Sequence, residues 1–152
     1  MDPFLRLWFG VVSRYESLIE FGRGDEALRL MKPALASHTA WCFEAICRQY
    51  VEDRTSGFGV IRVGRCWDRH QEIDVVGVDS VGRISLAGEC KMTRRPVGVS
   101  VLQELQGKFQ HFSKGDSHAA QLMIFSTGGF TQALKSKAKD EGVLLVGAEE
   151  LI

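Results

Sequence analysis

A glutamate and a lysine two residues apart end the segment Gly88-Glu89-Cys90-Lys91. Alternate side chains of a strand share a face, so Glu89 and Lys91 point one way and Cys90 the other. Arg83, Ser85 and Ala87 fall on the Glu89 face, and Ile84 and Leu86 on the more apolar Cys90 face. The preceding run Glu72-Ile73-Asp74-Val75-Val76-Gly77-Val78 sets a carboxylate inside an apolar strand. Buried without a partner, that carboxylate would be strongly destabilising, so a cation, a hydrogen-bond network or a metal must compensate it. If the two strands pair as a hairpin or meander, Asp74 and Glu89 meet near one end of the sheet. Two converging carboxylates make a hard-oxygen site suited to Mg²⁺ or Mn²⁺. Lys91, on the Glu89 face, would then orient or help activate a water. A Lewis acid, a water nucleophile and a charge stabiliser are the parts that metal-assisted phosphodiester hydrolysis needs. Glu44, on a preceding helix, is a further candidate, with Ala40, Trp41, Cys47 and Arg48 as its helical neighbours.

The elements that must position these residues follow from the hydrophobic period. Leu5, Trp8, Val12, Tyr15 and Ile19 recur in steps of three and four, which predicts a helix over Pro3–Phe21 with Asp2 as N-cap. A second short helix is predicted over Asp25–Leu35, with Pro33 complicating its end. A third, capped by Ser37 or Thr39, would carry Trp41, Phe43, Ile46, Cys47, Tyr50 and Val51. The period then changes. Phe58–Val63, Glu72–Val78 and Arg83–Lys91 read as consecutive strands, with Asp79-Ser80-Val81-Gly82 as a turn. Val99–Phe112 returns to helical spacing, Leu122–Phe125 reads as a strand, Thr131–Lys139 as a helix and Val143–Val146 as a strand. The order ααα-βββ-α-β-α-β implies a mixed, partly parallel sheet with helices on both faces.

A chain of 152 residues and 16.9 kDa fits one domain, here an N-terminal helical arm at 1–36 and a core at 37–152. Hydrophobic residues make up 45% and charged residues 25%, which excludes a disordered chain. Nineteen basic residues balance nineteen acidic ones, so only local patches could attract nucleic acid. Cys42, Cys47, Cys66 and Cys90 show no CxxC spacing, which argues against structural zinc and for reduced thiols in the cytoplasm. No apolar run approaches the ~18 residues of a membrane span, and nothing reads as a secretory signal. Asp2-Pro3 followed at once by an apolar run reads as the start of an internal fragment.

The order Glu44, Asp74, Glu89-Cys90-Lys91 resembles the PD-(D/E)XK nuclease superfamily, which includes archaeal Holliday-junction resolvases. More closely, the chain is similar to the C-terminal nuclease-like domain of archaeal and bacterial AAA-type ATPases, the DUF234 group. The segments that carry the likeness are Asp2-Pro3-Phe4-Leu5-Arg6-Leu7-Trp8-Phe9, Trp41-Cys42-Phe43-Glu44, Cys66-Trp67-Asp68-Arg69, Glu72-Ile73-Asp74-Val75-Val76 and Gly88-Glu89-Cys90-Lys91. They span nearly the whole chain. The resemblance implies a restriction-endonuclease-like α/β fold, with a mixed β-sheet flanked by helices and an N-terminal helical region. It implies that Asp74, Glu89 and the backbone carbonyl of Cys90 hold Mg²⁺ or Mn²⁺, that Lys91 positions the water, and that Glu44 assists through water on the metal. Ile73 stands where the superfamily has the proline of its name, and no Gly-x-x-x-x-Gly-Lys-[Ser/Thr] occurs, so the chain lacks the ATPase's own nucleotide loop. The implied partners are DNA, an AAA-type ATPase domain or subunit, and a second copy of the chain, since cutting two strands at once needs two sites. The alternative is a catalytically silent module that serves the ATPase or binds DNA; a nucleic-acid binder without cleavage is a third reading.

Residues 91–114 hold Lys91, Arg94, Arg95, Lys108 and Lys114 against Glu104 alone. Arg94 and Arg95, next to the site, are the candidates for contacting a phosphate backbone. Lys108, Lys114, Lys135, Lys137 and Lys139 read as solvated helix faces. The resemblance would also allow Gln103 or Gln106 a place near the site, as in some superfamily members, but glutamine is mostly exposed and both read better as helix surface. Asp68 and Arg69 could frame the cleft, with His70 either a proton shuttle or, better, a turn residue. Cys90 reads as a small buried hydrophobe. Phe4, Trp8 and Phe9 read as core or as an interface, for instance with the ATPase.

Overall fold

The computed structural model describes residues 2–113 and 119–151, which group into two compact units, Met1–Phe43 and Glu44–Ile152. In the first unit Asp2 caps α1 (Pro3–Gly10): its carboxylate accepts the Leu5 N–H at 3.0 Å, and Pro3 opens the helix. The helix expected to reach Phe21 stops at Gly10. Glycine is a poor helix former, and Val11 leaves helical geometry at φ −128°, ψ −63°. A 3₁₀ turn (Val12–Tyr15) and α2 (Glu16–Glu20) follow. Val11, Ala27 and Met31 are buried together, with Leu7, Val12, Tyr15, Leu18 and Leu35 against them. Phe4 and Phe9 stay about two-thirds exposed, so they are not core, and Phe4 stacks on Trp8 at 6.4 Å.

The second and third helices of the sequence reading are one helix, α3 (Gly24–Glu52), which runs through Pro33 and across the division between the units. The ring removes one N–H donor to the preceding turn, a local loss. Ser37 and Thr39 do not cap. Their hydroxyls donate back to the carbonyls of Pro33 at 3.2 Å and Leu35 at 2.7 Å, which keeps both inside the helix.

The second unit adds α4 (Thr55–Phe58), β1 (Arg62–Trp67), β2 (Glu72–Val78), β3 (Ile84–Lys91), α5 (Val99–Ser113), β4 (Gln121–Ser126), α6 (Gln132–Glu141) and β5 (Leu144–Gly147). The first strand lies four residues later than expected, because Phe58 ends a helical turn and Gly59 follows at φ +63°. The sheet order is β1-β2-β3-β4-β5. The pairs β1–β2 and β2–β3 are antiparallel, while β3–β4 and β4–β5 are parallel. This is the mixed α/β sheet the sequence implies, with β3 at the junction of its two halves. The turn after β2 is built by Asp79, whose Oδ1 accepts the N–H groups of Val81 and Arg83 at 2.9 Å. Thr131 caps α6 by accepting the Leu134 N–H, and Gly142 ends it at φ +68°.

One core cluster gathers Leu102 and Leu105 of α5, Leu134 and Ala138 of α6, and Ile73, Val76, Ala87 and Ile124 of the strands. On β3, Gly88 lies against Val75 and Phe125; a Cβ there would come within 3.1 Å of the Val75 Cβ and 3.2 Å of the Phe125 ring. Tyr50, from the end of α3, meets the Phe125 ring edge-on at 5.9 Å, and Cys47 and Val51 beside it on that helix are fully buried. Among the described residues, no helix is long and apolar enough to cross a membrane.

Candidate active site

The end of β3 carries the site because its parity and its neighbours act together. Glu89 is 3% exposed, a depth at which a carboxylate is costly unless cations hold it. Two lysines do. Lys91, two residues on along the same strand, donates from Nζ to Oε1 at 2.8 Å. Lys108, from α5, donates to Oε1 at 2.9 Å and to Oε2 at 2.7 Å.

Asp74, near the start of β2, is partly buried, and its Oδ2 accepts the Cys90 N–H at 2.8 Å. Arg48 of α3 donates from Nη1 to the Asp74 carbonyl at 3.0 Å, fixing the strand to the helix. The same guanidinium lies 3.6 Å from Glu44 Oε2. Burial pushes the Asp74 carboxyl up to about 6, and the charges of Glu89 and Glu44 push the same way, against the Cys90 N–H and the Lys108 ammonium. For Lys91 burial works against the charge, but the bond to Glu89 and the nearby Asp74 and Glu104 charges win, so its ammonium is held above the usual lysine range. The Cys90 thiol is pushed far up by its bond with the Cys47 thiol and by burial, which leaves it a protonated group of packing.

The expected residues Glu44, Asp74, Glu89, Cys90 and Lys91 therefore lie around one end of the sheet. Glu44 does two things at once: it pairs with Arg48 along the helix and adds its field to Asp74. Arg94 and Arg95 are exposed on the segment after β3. Thr93 and Thr127 fix that segment: the Thr127 hydroxyl donates to the Thr93 carbonyl at 2.8 Å and accepts the Thr93 N–H at 2.9 Å.

Lys108, expected on a solvated helix face, instead turns inward onto Glu89. It follows Leu105 by three residues and precedes Phe112 by four, so it lies on the inward stripe of α5, not the outer face. That spacing was the available signal. Gln103 is exposed, and Gln106 donates to Glu141 Oε2 at 2.8 Å, away from the site. Lys137 pairs with Glu141 at 2.7 Å, and Lys114 lies outside the described residues. Asp68 shapes the β1–β2 turn: Oδ1 accepts the N–H groups of His70 and Gln71 at 2.7 and 2.8 Å, and Oδ2 pairs with His111. The His111 bond and the two turn N–H groups hold its carboxyl well below the usual range. His70 is an exposed turn residue.

The donor chemistry fits a hard divalent cation. Asp74 and Glu89 offer carboxylate oxygens, and the raised Asp74 value marks a carboxylate whose charge is disfavoured first by burial and then by the Glu89 and Glu44 charges, a cost that a cation would offset. Among the described residues no three His, Cys, Asp or Glu side chains gather closely enough to hold a metal ion. A cation here would have at most two of these side chains as ligands, with water completing its shell. Mg²⁺ is commonly held in this way, through one or two carboxylates and several waters.

Residues 8–107 match the DUF234 family, described as archaea bacterial proteins of unknown function. No curated protein matches the chain. Among solved structures, the protein of unknown function AF1548 is similar at 23% identity and a TM-score of 0.53, over 74% of this chain and 64% of that one. Protein VC1899 from Vibrio cholerae is similar at 19% identity and 0.52, over 83% of this chain and 33% of that one. A repair endonuclease from Pyrococcus abyssi also matches, at 19% identity and 0.47, over 68% of this chain and 46% of that one. The chain thus spans less than two-thirds of the length of each of these structures.

Proposed function

The chain belongs to the DUF234 family, and from the site it carries we propose that it is a metal-dependent nuclease that hydrolyses DNA phosphodiester bonds. The observation that carries this reading is the buried Glu89, bonded to Lys91 and set beside an Asp74 whose carboxyl is pushed up to about 6. A lone structural ion pair would not set a second, partly buried carboxylate within the field of the first.

When bound, Mg²⁺ or Mn²⁺ supplies Lewis-acid polarisation of the scissile phosphate. Asp74 and Glu89 provide the oxygens that hold it, with the Cys90 carbonyl, and the Cys90 N–H fixes the Asp74 carboxylate in orientation. Lys91 orients the attacking water and offsets charge developing on the phosphate. Glu44 assists through a water, and Arg94 and Arg95 hold the flanking phosphates. Association with an AAA-type ATPase and pairing with a second copy belong to the same reading, which the sequence resemblance supports.

A second reading rests on one specific observation. With both Glu89 oxygens engaged by lysines, the cluster is closed as an ion-pair network, which also suits a silent assembly module. Labelled single-stranded, duplex and four-way-junction DNA, offered with Mg²⁺ or Mn²⁺, separates the two. The nuclease reading expects metal-dependent cutting that Asp74→Ala and Lys91→Ala both abolish. Cutting that survives in both variants would refute the site. A folded protein that binds Mn²⁺ but cuts nothing would favour the assembly module.

A further inference from the structure

We propose that Lys108 is an internal counter-ion that occupies Glu89 in the metal-free protein, and that a divalent cation binds by displacing it. This deepens the nuclease reading and rests on its assignment of Glu89 as a metal-holding carboxylate.

The geometry is one of competition for oxygen lone pairs. A carboxylate offers two on each oxygen. Oε1 takes Lys91 at 2.8 Å and Lys108 at 2.9 Å, which fills it. Oε2 takes Lys108 at 2.7 Å. The one lone pair left on Oε2 lies beside an ammonium, so a cation placed there meets a like charge at contact distance. Full coordination by Glu89 requires the Lys108 ammonium to leave.

Lys108 is the lysine that must leave, because it bonds both Glu89 oxygens while Lys91 bonds Oε1 alone. Lys91 sits on the same strand, two residues along, and shares Glu89's face. Lys108 reaches Glu89 from α5, whose backbone is anchored by the fully buried Leu105 one turn earlier. Its head therefore moves by rotation of a flexible four-carbon stem while the helix stays in place. The side chain keeps about a quarter of its surface exposed, so water receives the ammonium when it swings out. Lys108 compensates Glu89 and the neighbouring Asp74, which stabilises the metal-free site at the expense of metal affinity.

The test reads Mn²⁺ binding directly, from the electron paramagnetic resonance of the free ion, on the full chain without DNA. Lys108→Met keeps the apolar stem and removes the charge, and Mn²⁺ affinity should rise about tenfold or more, the size of effect a neighbouring charge has on an ionic equilibrium. Lys108→Arg should stay close to wild type, and Lys135→Met, an exposed charge on α6, should change nothing. Unchanged or weaker binding by Lys108→Met overturns the proposal. Wild-type binding that is lost in Asp74→Ala, with no gain in Lys108→Met, removes this inference and leaves the metal site standing. No Mn²⁺ binding by any of these proteins removes both. A second readout keeps the test independent of how the Met variant folds. In ¹⁵N-lysine spectra of the wild type, the Nζ resonance missing from Lys108→Arg should shift on titration with Mg²⁺. A resonance that stays still while Mg²⁺ binds refutes displacement.

Discussion

Replacing Asp74 by asparagine should make the metal-free protein more stable at pH 8. In the folded chain Asp74 keeps its proton up to about pH 6, whereas the free carboxyl loses it near 3.8. Between these values the folded state binds more protons than the unfolded one, so stability falls as pH rises and the loss is complete above about pH 6. A gap of roughly two pH units corresponds to ~3 kcal/mol at about 1.36 kcal/mol per unit. Asp74 is only partly buried, and solvent screening reduces this to ~1–2 kcal/mol. Asparagine has no charge to desolvate, and its amide oxygen can still accept the Cys90 N–H. Urea denaturation with a chelator present should therefore show Asp74→Asn ahead of wild type by ~1–2 kcal/mol at pH 8, with the difference gone below about pH 4. Saturating Mn²⁺ should reverse the order, since binding at a hundred times Kd adds ~2.7 kcal/mol to the wild type alone. A variant no more stable than wild type at pH 8, or an advantage that does not change with pH, would refute the reasoning.

Three further substitutions probe the frame around the site. Leu105→Ala empties a fully buried position on α5 and should cost ~2–5 kcal/mol in urea denaturation. Gly128→Ala would set a Cβ 2.5 Å from the Arg95 carbonyl oxygen and 2.7 Å from that of Thr93, backbone atoms that must move. It should cost ~1–3 kcal/mol and, if Arg94 and Arg95 hold phosphate, should also weaken DNA binding in a filter assay. Thr131→Ala removes the side-chain cap of α6 and should cost ~1 kcal/mol, again read by urea denaturation, with Mn²⁺ affinity unchanged.

The sheet was legible where side-chain period and turn chemistry agree. Asp79 and Gly82 mark a turn between two clean alternating runs, and β2 and β3 fall where the sequence put them to within a residue. The first strand was misread because Phe58, Val60 and Ile61 give an apolar run whose local backbone is decided by Gly59 and by a close approach. Val60 is buried so near Gly77 that a Cβ there would come within 2.6 Å of it. The break at Gly10 and the passage of α3 through Pro33 each set a weak local preference against tertiary packing, which a single sequence does not show. At the site, parity puts Glu89 and Lys91 on one face, and the expected pairing of β2 with β3 brings Asp74 to the same end. Lys108 was read from its charge, although its position between Leu105 and Phe112 turns it inward. Arg48 is legible as the i,i+4 partner of Glu44, a pair the structure shows at 3.6 Å, but its bond to the Asp74 carbonyl, 26 residues away, has no mark in the sequence.

The change of strand direction at β3 also orders how the chain can assemble. Val75 and Gly88, paired across the antiparallel half, are 13 residues apart, whereas Leu86 and Gln121, paired across the parallel half, are 35 apart. Closing the longer loop is entropically harder and must include the packing of α5, so the β2–β3 hairpin has the kinetic advantage. In that early state Asp74 and Glu89 are already neighbours across the hairpin, while Lys108 is still remote in an undocked segment. Two carboxylates facing water with a single lysine beside them repel each other only weakly, because the solvent still screens them. The repulsion grows as α5 closes over the sheet, and the same movement delivers the Lys108 ammonium. The cover that desolvates Glu89 thus carries its own neutralising charge, so folding need not pass through a buried, uncompensated anion.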